Sequence, residues 1–122
     1  MIYLKQIPQS INCENLFECF FGLNSEDVKV YEALLKGMER IEELSSALGK
    51  KEISVYKSLQ KLLLAGLAYR EKRTIASGGY FYAYKAVPKE VVAKEIESLL
   101  NDFCNKVRNF LRDFLADRSS QL

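Results

Sequence analysis

The chain has 122 residues, of which 48% are hydrophobic, and a net charge of +2, values that suit one globular domain with a modest core. It contains three cysteines, without a Cys-x-x-Cys pair, and no histidine, so we expect no metal site and no cofactor. Lys5 and Pro8 interrupt any signal-peptide pattern and no apolar run could span a bilayer, which predicts a soluble cytoplasmic protein without a membrane partner.

The N-terminal part predicts one short helix. Residues 1–9 show no clear period, whereas Ser10 and Asn12 can cap a helix over residues 10–21 that ends before Gly22. Its large apolar side chains need a partner surface, which is either the rest of the domain or a second subunit. We assign two of them, Phe17 and Phe20, to a dimer interface.

Two further helices and a turn follow. Asn24 and Asp27 form a capping-box pattern that starts a helix, and the apolar spacing of Ile41–Leu48 predicts the next one. Arg40 cannot supply the usual acceptor at that second helix start. Gly49 provides the permissive backbone for a sharp turn into another helix, so the two helices around it form a helix-turn-helix.

The helix after Gly49 carries the strongest functional signal. At about 100° per residue it turns Val55, Leu59 and Leu62 toward the core. One polar stripe lies on the far side: Lys50, Ser54, Lys57 and Lys61. Such a stripe suits DNA recognition, with a solvated lysine surface as the alternative. The local charge favours DNA, because residues 50–88 carry eight basic and two acidic side chains, net +6, whereas residues 1–49 carry four basic and eight acidic ones.

A basic hairpin follows this helix. Residues 67–73 and Tyr80–Ala86 read as strands joined by a loop with a Gly78-Gly79 tip. The hairpin can act as a wing that reaches an adjacent minor groove or a phosphate run. We treat the alternating tyrosines of its second strand as sheet packing rather than a base-stacking platform. The predicted DNA-binding residues are Lys50, Lys51, Ser54, Lys57, Ser58, Lys61, Arg70, Lys72 and Arg73.

A long helix is predicted over residues 88–118, because Pro88 suits a first helical position and apolar residues then recur every three or four positions. A rod of about 45 Å is longer than a small domain can cover, so a partner helix in a two-fold homodimer is the simplest way to bury its apolar face. A helix folded back on its own domain and a membrane-surface helix are the alternatives. The predicted dimer interface comprises Phe17, Phe20, Leu99, Phe103, Val107, Phe110 and Phe114.

The predicted fold class is therefore mainly α with a small β-hairpin wing: a winged helix-turn-helix with a short N-terminal helix and a long C-terminal dimerisation helix. We expect a single winged-helix domain over residues 1–122, with the N-terminal helix at 10–21, the winged-helix core at 22–87 and the dimerisation helix at 88–118.

Several segments, in this order and spacing, resemble archaeal winged-helix regulators of the TrmB-like and MarR-like groups. They are residues 22–31 (GLNSEDVKVY), 41–44 (IEEL) through Gly49, 55–59 (VYKSL), Leu62, Gly66-Leu67 and 82–88 (YAYKAVP). The resemblance implies transcriptional regulation by a dimer whose recognition helix reads the major groove. The chain ends after the long helix, where full-length TrmB-like regulators have a sugar-binding domain, so no sugar effector is carried over. Lys51 and Glu52 stand where many relatives have Ser and Arg, so base preference is not transferred.

We predict a homodimeric regulator that binds double-stranded DNA sequence-specifically, with a winged-helix protein-interaction module as the alternative. An enzyme is not expected, because the chain lacks histidine, a glycine-rich phosphate loop and a poised carboxylate pair.

Cys13, Cys19 and Cys104 read as small buried apolar residues in a reducing compartment, with a redox-sensing thiol as the sharper alternative.

Overall fold

The computed structural model describes residues 13–116, and side chains from residue 15 onward. Within this range the chain forms five helices and one two-stranded sheet: α1 (Cys13–Phe21), α2 (Ser25–Leu35), α3 (Ile41–Leu48), α4 (Glu52–Leu64), β1 (Ala68–Thr74), β2 (Tyr80–Ala86) and α5 (Lys89–Leu115). The chain divides into two compact units between Val87 and Pro88. The mainly helical architecture with a hairpin wing confirms the predicted fold class.

Helix α1 packs onto α2 through aromatic side chains. The ring of Phe17 meets those of Tyr31 and Phe21 edge-on, with centroid distances of 5.6 and 5.8 Å. Phe17 is 5% exposed, so it belongs to the core of this unit. We correct its assignment to the dimer interface, because a side chain already buried in its own unit offers a partner little surface. The capping residues proposed for α1, Ser10 and Asn12, lie outside the described residues.

The start of α2 has the predicted capping box. The backbone N–H of Asp27 donates to Asn24 Oδ1 at 2.9 Å, and the backbone N–H of Asn24 donates to Asp27 Oδ2 at 3.0 Å. Two donors of the first turn are thereby satisfied. The helix then buries four large residues in the core of the unit, which are Val28, Val30, Tyr31 and Leu34.

Helices α3 and α4 meet at a sharp turn. Gly49 adopts the left-handed conformation, with φ 64° and ψ 37°, as the turn requires. The Ser45 hydroxyl donates to the carbonyl of Lys50 across the turn, which fixes the entry to α4. Arg40 makes no side-chain cap at the start of α3. Fully buried residues of both helices complete the core, and they are Leu44, Val55, Leu59 and Leu62.

The antiparallel hairpin is joined to this core by two hydrogen bonds. Its register runs from Ala68 opposite Ala86 to Thr74 opposite Tyr80. The N–H of Tyr84 donates to the carbonyl of Glu39 at 2.8 Å, which links β2 to the segment before α3. At the base of the hairpin the Val87 carbonyl accepts from the Tyr31 hydroxyl at 2.7 Å. These bonds hold the hairpin beside the helix-turn-helix, as a wing requires.

Helix α5 forms the second unit. Its 27 residues correspond to a length of about 40 Å. Pro88 is its N-cap rather than its first helical residue, and the extended backbone there (φ −57°, ψ 147°) lets the helix begin at Lys89. Large apolar residues of α5 are exposed, and they are Val91, Leu99, Leu100, Phe103, Val107, Phe110, Leu111, Phe114 and Leu115. In the described part of the chain, no helix combines the length and apolarity needed to cross a bilayer.

Candidate DNA-binding surface

The outer side of the first two turns of α4 is open to solvent. Lys51 is the N-cap, and Ser54 and Lys57 are exposed one turn apart on the helix that follows. Two apolar residues share this outer side, because Ile53 is 58% exposed and Tyr56 is 43% exposed. The N-terminal part of the predicted stripe is therefore exposed through Ser54 and Lys57. Ile53 and Tyr56 add apolar surface beside it, which was not predicted from the sequence.

The rest of the stripe binds α2 through Asp27. The Asp27 side chain is 3% exposed, and its Oδ1 accepts a hydrogen bond from the Ser58 hydroxyl at 2.7 Å. The ammonium group of Lys61 forms an ion pair with Asp27 Oδ2. Burial disfavours the charged carboxylate, but hydrogen bonds from Lys61, Ser58 and the Asn24 backbone outweigh it and lower the pKa of Asp27 below its ordinary value. This network joins the capped end of α2 to the C-terminal half of α4.

A second link joins α2 to the segment that precedes α4. The Lys50 side chain is only 18% exposed and forms an ion pair with Glu26. Burial lowers the pKa of the Lys50 ammonium group even beside this carboxylate. Lys50 and Lys61 are therefore neutralised by neighbouring residues of α2, at either end of α4.

These partners correct one of the predicted DNA contacts, Ser58, and give two others, Lys50 and Lys61, a partner within the protein. Ser58 is buried, with 6% exposure, and its hydroxyl is used by Asp27, so it has no surface to offer to DNA. Lys50 and Lys61 lie along the predicted stripe, but each ammonium group already has an acidic partner. We therefore give Lys50, Ser58 and Lys61 a structural role, which is to fix α4 against α2.

The two faces of the wing differ in how their cations are used. On one face Arg70 lies over the ring of Tyr82, with Cζ 4.3 Å from the centroid, and Lys72 lies over Tyr80, with Nζ at 4.1 Å. Both cations are exposed. Cation–π contacts of this kind leave the positive charge uncompensated by an anion.

On the other face, Glu39 neutralises two cations. Its carboxylate lies 2.6 Å from Arg73 and 3.1 Å from Lys85, and Arg73 also lies 3.4 Å from Glu71. The hydrogen bond from Lys85 and the charge of Arg73 lower the pKa of Glu39, against the opposing effect of desolvation. The pairing gives Arg73, one of the predicted DNA contacts, a role in fixing the wing to the segment before α3.

The basic side chains of residues 50–88 thus fall into two groups, those that form ion pairs and those that do not. Among the basic side chains of residues 50–88, four form ion pairs with carboxylates: Lys50, Lys61, Arg73 and Lys85. Within the described range, no ion pair involves the other four, which are Lys51, Lys57, Arg70 and Lys72. All four are exposed and belong to the start of α4 or to β1. They form the positive part of the candidate surface.

The segment that forms the winged helix matches a known protein family. Residues 17–90, which contain α2 to β2 and most of α1, match the family described as "Sugar-specific transcriptional regulator TrmB". The matched segment is more than half of the chain. The chain belongs to the TrmB family. Its winged helix is thus the fold of a DNA-binding transcriptional regulator, which confirms the resemblance found in the sequence.

Relatives of this TrmB-family chain are found in archaea. An uncharacterized protein of Methanocaldococcus jannaschii is 33% identical over 101 residues, covering 82% of this chain and 76% of that protein. A second uncharacterized protein of the same organism is 34% identical over 106 residues, covering 86% and 88%.

Solved structures agree with the fold of this TrmB-family chain. A possible transcriptional regulator from Methanosarcina mazei Go1 has a TM-score of 0.72 at 23% identity and covers 84% of this chain and 88% of that one. A regulator of the MarR family from Enterococcus faecalis V583 has a TM-score of 0.52 at 18% identity, with coverages of 89% and 97%. At these identities the likeness concerns the fold.

The structure also gives the exposure of two cysteines and of the remaining residues of the predicted dimer interface. Cys19 is exposed and Cys104 is half-buried, so the expectation that the cysteines are small core residues does not hold for Cys19; the side chain of Cys13 is outside the described part. Phe20 is half-buried on α1. The α5 members of the predicted dimer interface are all exposed, and they are Leu99, Phe103, Val107, Phe110 and Phe114.

Proposed function

We propose that this TrmB-family chain binds specific sequences of double-stranded DNA as a homodimer, with α4 in the major groove and the wing on the adjacent backbone. The observation that supports this is the division of the basic residues. Acidic neighbours neutralise the lysines and arginine that fix the fold, whereas the remaining four cations lie exposed on α4 and β1. Unpaired, exposed cations on these two elements suit a phosphate backbone.

The proposed contacts of α4 are Lys51, Ser54 and Lys57. In helix-turn-helix proteins the N-terminal residues of the second helix meet the base edges, and these three lie at or near that end of α4. Lysine can donate to guanine acceptors, and a serine hydroxyl can serve as donor or acceptor to several bases. Glu26 and Asp27 support these contacts indirectly, because they hold α4 in position.

The homodimer is supported by α5. Its exposed apolar residues recur at spacings of three and four, and two of them, Phe110 and Phe114, stack at 6.3 Å. Monomeric proteins rarely expose a continuous apolar stripe of this length, and a two-fold partner helix would bury it. A dimer would also join two α4 helices in one molecule, as an operator with two half-sites requires.

The DNA proposal is tested with Lys57→Ala. We would select bound fragments from genomic DNA and measure the affinity for a selected duplex by fluorescence anisotropy at several salt concentrations. The variant should bind about 30-fold or more weakly, because each homodimer loses two contacts of about 1 kcal/mol or more. Its fold should persist, since Lys57 is exposed and outside the ion pairs.

The matched control is Lys36→Ala, which removes the same charge from an exposed lysine at the C-cap of α2. It should leave the affinity within about twofold of the original protein. Equal losses in Lys57→Ala and Lys36→Ala would show that α4 is not the reading helix. Failure of the folded protein to bind any duplex at about 50 mM salt would favour the protein-interaction alternative, for which exposed Ile53 and Leu64 offer apolar contacts.

A further inference from the structure

We propose that Arg70 and Lys72 form a preorganised clamp for two successive phosphates of one DNA strand, and that Tyr82 and Tyr80 are the residues that position it. This inference rests on the proposed DNA binding and assigns a ligand group to one face of the wing. It also gives the tyrosines of β2 a role that is separate from sheet packing.

The clamp follows from the strand register. Arg70 is opposite Tyr84 and Lys72 is opposite Tyr82, so all four residues share one face with Tyr80. Each cation leans diagonally toward the hairpin tip, Arg70 over Tyr82 and Lys72 over Tyr80. The rings of Tyr80 and Tyr82 touch edge-on at 5.6 Å. Two cations therefore rest on two rings that support each other.

The contacts with the tyrosine rings leave the hydrogen-bond donors of Arg70 and Lys72 free to bind a ligand. The five N–H groups of a guanidinium point outward in its plane, so a ring against its flat side does not block them. The Lys72 ammonium group likewise keeps donors that face away from Tyr80. A side chain held against a ring also loses less rotamer freedom when it meets a ligand, which favours binding by an amount equivalent to a few-fold in affinity.

Neighbouring charges show why the clamp is confined to this face. Glu71 lies between the two cations in sequence, but strand alternation directs it to the opposite face, where it meets Arg73. Arg73 is further neutralised by Glu39. The strand thus separates two unpaired cations on one face from a compensated cluster on the other.

The spacing suits successive phosphates. Residues two apart on one strand face are separated by about 6.6–6.8 Å, which is comparable to the distance between adjacent phosphates along a DNA strand. Two point contacts on a shared strand fix the position of the wing along the backbone without reading sequence. The expected ligand is therefore the phosphate backbone beside the groove that α4 occupies.

The role of Tyr82 is tested with a double-mutant cycle on duplex DNA. Tyr82→Leu should weaken binding about fivefold or more in the original protein, because the Arg70 side chain of each protomer would then lose rotamer freedom when it meets a phosphate. In an Arg70→Ala background the same change should have no further effect, because the group that Tyr82 positions is gone. Tyr82→Phe keeps the ring and should bind as the original does. An equal loss in both backgrounds would mean that Tyr82 only stabilises the hairpin, and the clamp would be refuted.

A second test alters the DNA, and its first measurement, made on the original protein, does not depend on variant folding. Uncharged methylphosphonate linkages are placed one at a time along a selected duplex. Binding should weaken at two adjacent linkages of one strand in each half-site, and Arg70→Ala should lose the sensitivity at one of them. Sensitivity at isolated linkages only, or a pattern that Arg70→Ala and Lys72→Ala leave unchanged, would overturn the clamp.

These outcomes are separable from failure of the proposed function. If the protein binds duplex DNA and Lys57→Ala weakens binding, while Arg70→Ala and Lys72→Ala do not, DNA binding stands and the clamp is wrong. If no duplex is bound by the folded protein, both proposals are refuted together.

Discussion

Lys57 and Lys61 lie one turn apart on α4, but their surroundings give them different roles. Lys57 is exposed and pairs with none of the described carboxylates, whereas Lys61 pairs with the buried carboxylate of Asp27. A buried carboxylate without a cation is costly, because it has lost its water and gained no equivalent partner. Removal of the Lys61 ammonium group should therefore affect the fold before it affects any contact with DNA.

The Asp27 network predicts a specific acid sensitivity. The folded pKa of Asp27 is lowered, so its stabilising effect is present above the unfolded pKa, near 3.9, and is lost as the pH falls through the folded value. The free energy of unfolding should decrease below about pH 4. In Asp27→Asn this decrease should be smaller, and stability at neutral pH should be about 1–3 kcal/mol lower, because Ser58 and Lys61 lose a charged acceptor.

Urea denaturation of both proteins between about pH 2 and 7 measures this difference. Glu32→Gln serves as the control, since it removes an exposed carboxylate from the same helix. Its pH profile should follow that of the original protein. If Asp27→Asn shows the same acid dependence as the original, the buried pair does not contribute the stability that its geometry indicates.

Local sequence signals predicted the helix-turn-helix well. The capping box at Asn24 and the left-handed turn at Gly49 both depend on residues a few positions apart, so their chemistry is visible in the sequence. The role of Asp27 in joining α2 to α4 is not visible in the sequence, because it depends on Ser58, 31 residues away. A helical wheel also misplaces Lys50, since Lys50 precedes the N-cap and does not follow the period of α4.

The turn at Gly49 predicts a purely conformational effect. Its φ is +64°, and a Cβ added there would meet nothing within 4 Å, so a side chain would cost backbone strain without a clash. Gly49→Ala should lower the free energy of unfolding by about 1–2 kcal/mol. Gly49→Asn should lose less, because asparagine tolerates the left-handed region better.

Denaturation curves of the three proteins would show this ranking. A loss for Gly49→Asn equal to that for Gly49→Ala would indicate that the side chain, not the backbone conformation, is the cause. Because the Ser45 hydroxyl bonds to Lys50 across the same turn, a relaxed turn should also loosen the start of α4. The exposed contacts that begin at Lys51 depend on that position.

Across the whole molecule, the acidic N-terminal part and the basic central part compensate each other selectively. Glu26, Asp27 and Glu39 neutralise cations that lie beside the core, so the net charge of +6 over residues 50–88 overstates what a ligand would meet. The charge count located the basic segment correctly, but only the three-dimensional arrangement shows which cations remain. The proposed surface is accordingly smaller than the predicted one and confined to α4 and β1.

The exposed apolar stripe of α5 predicts how the protein assembles. Phe103 and Phe110 are 64% and 47% exposed and lie two turns apart on one side of the helix. If a second α5 covers this stripe, Phe103→Glu together with Phe110→Glu should yield monomers, because two carboxylates cannot be buried there without partners. Sedimentation velocity would measure the change, and circular dichroism would establish that the helix persists.

The control for charge is Asn101→Glu, which adds a carboxylate on the opposite, polar side of α5 and should leave the dimer intact. Monomers should also lose most of their affinity for a two-half-site operator while keeping weak binding to one half-site, since linkage of two α4 helices raises their joint affinity about 10²-fold or more. A double glutamate variant that still sediments as a dimer would place the interface elsewhere, and α5 would need another partner. A variant that is monomeric but binds the full operator undiminished would show that dimerisation and DNA recognition are independent.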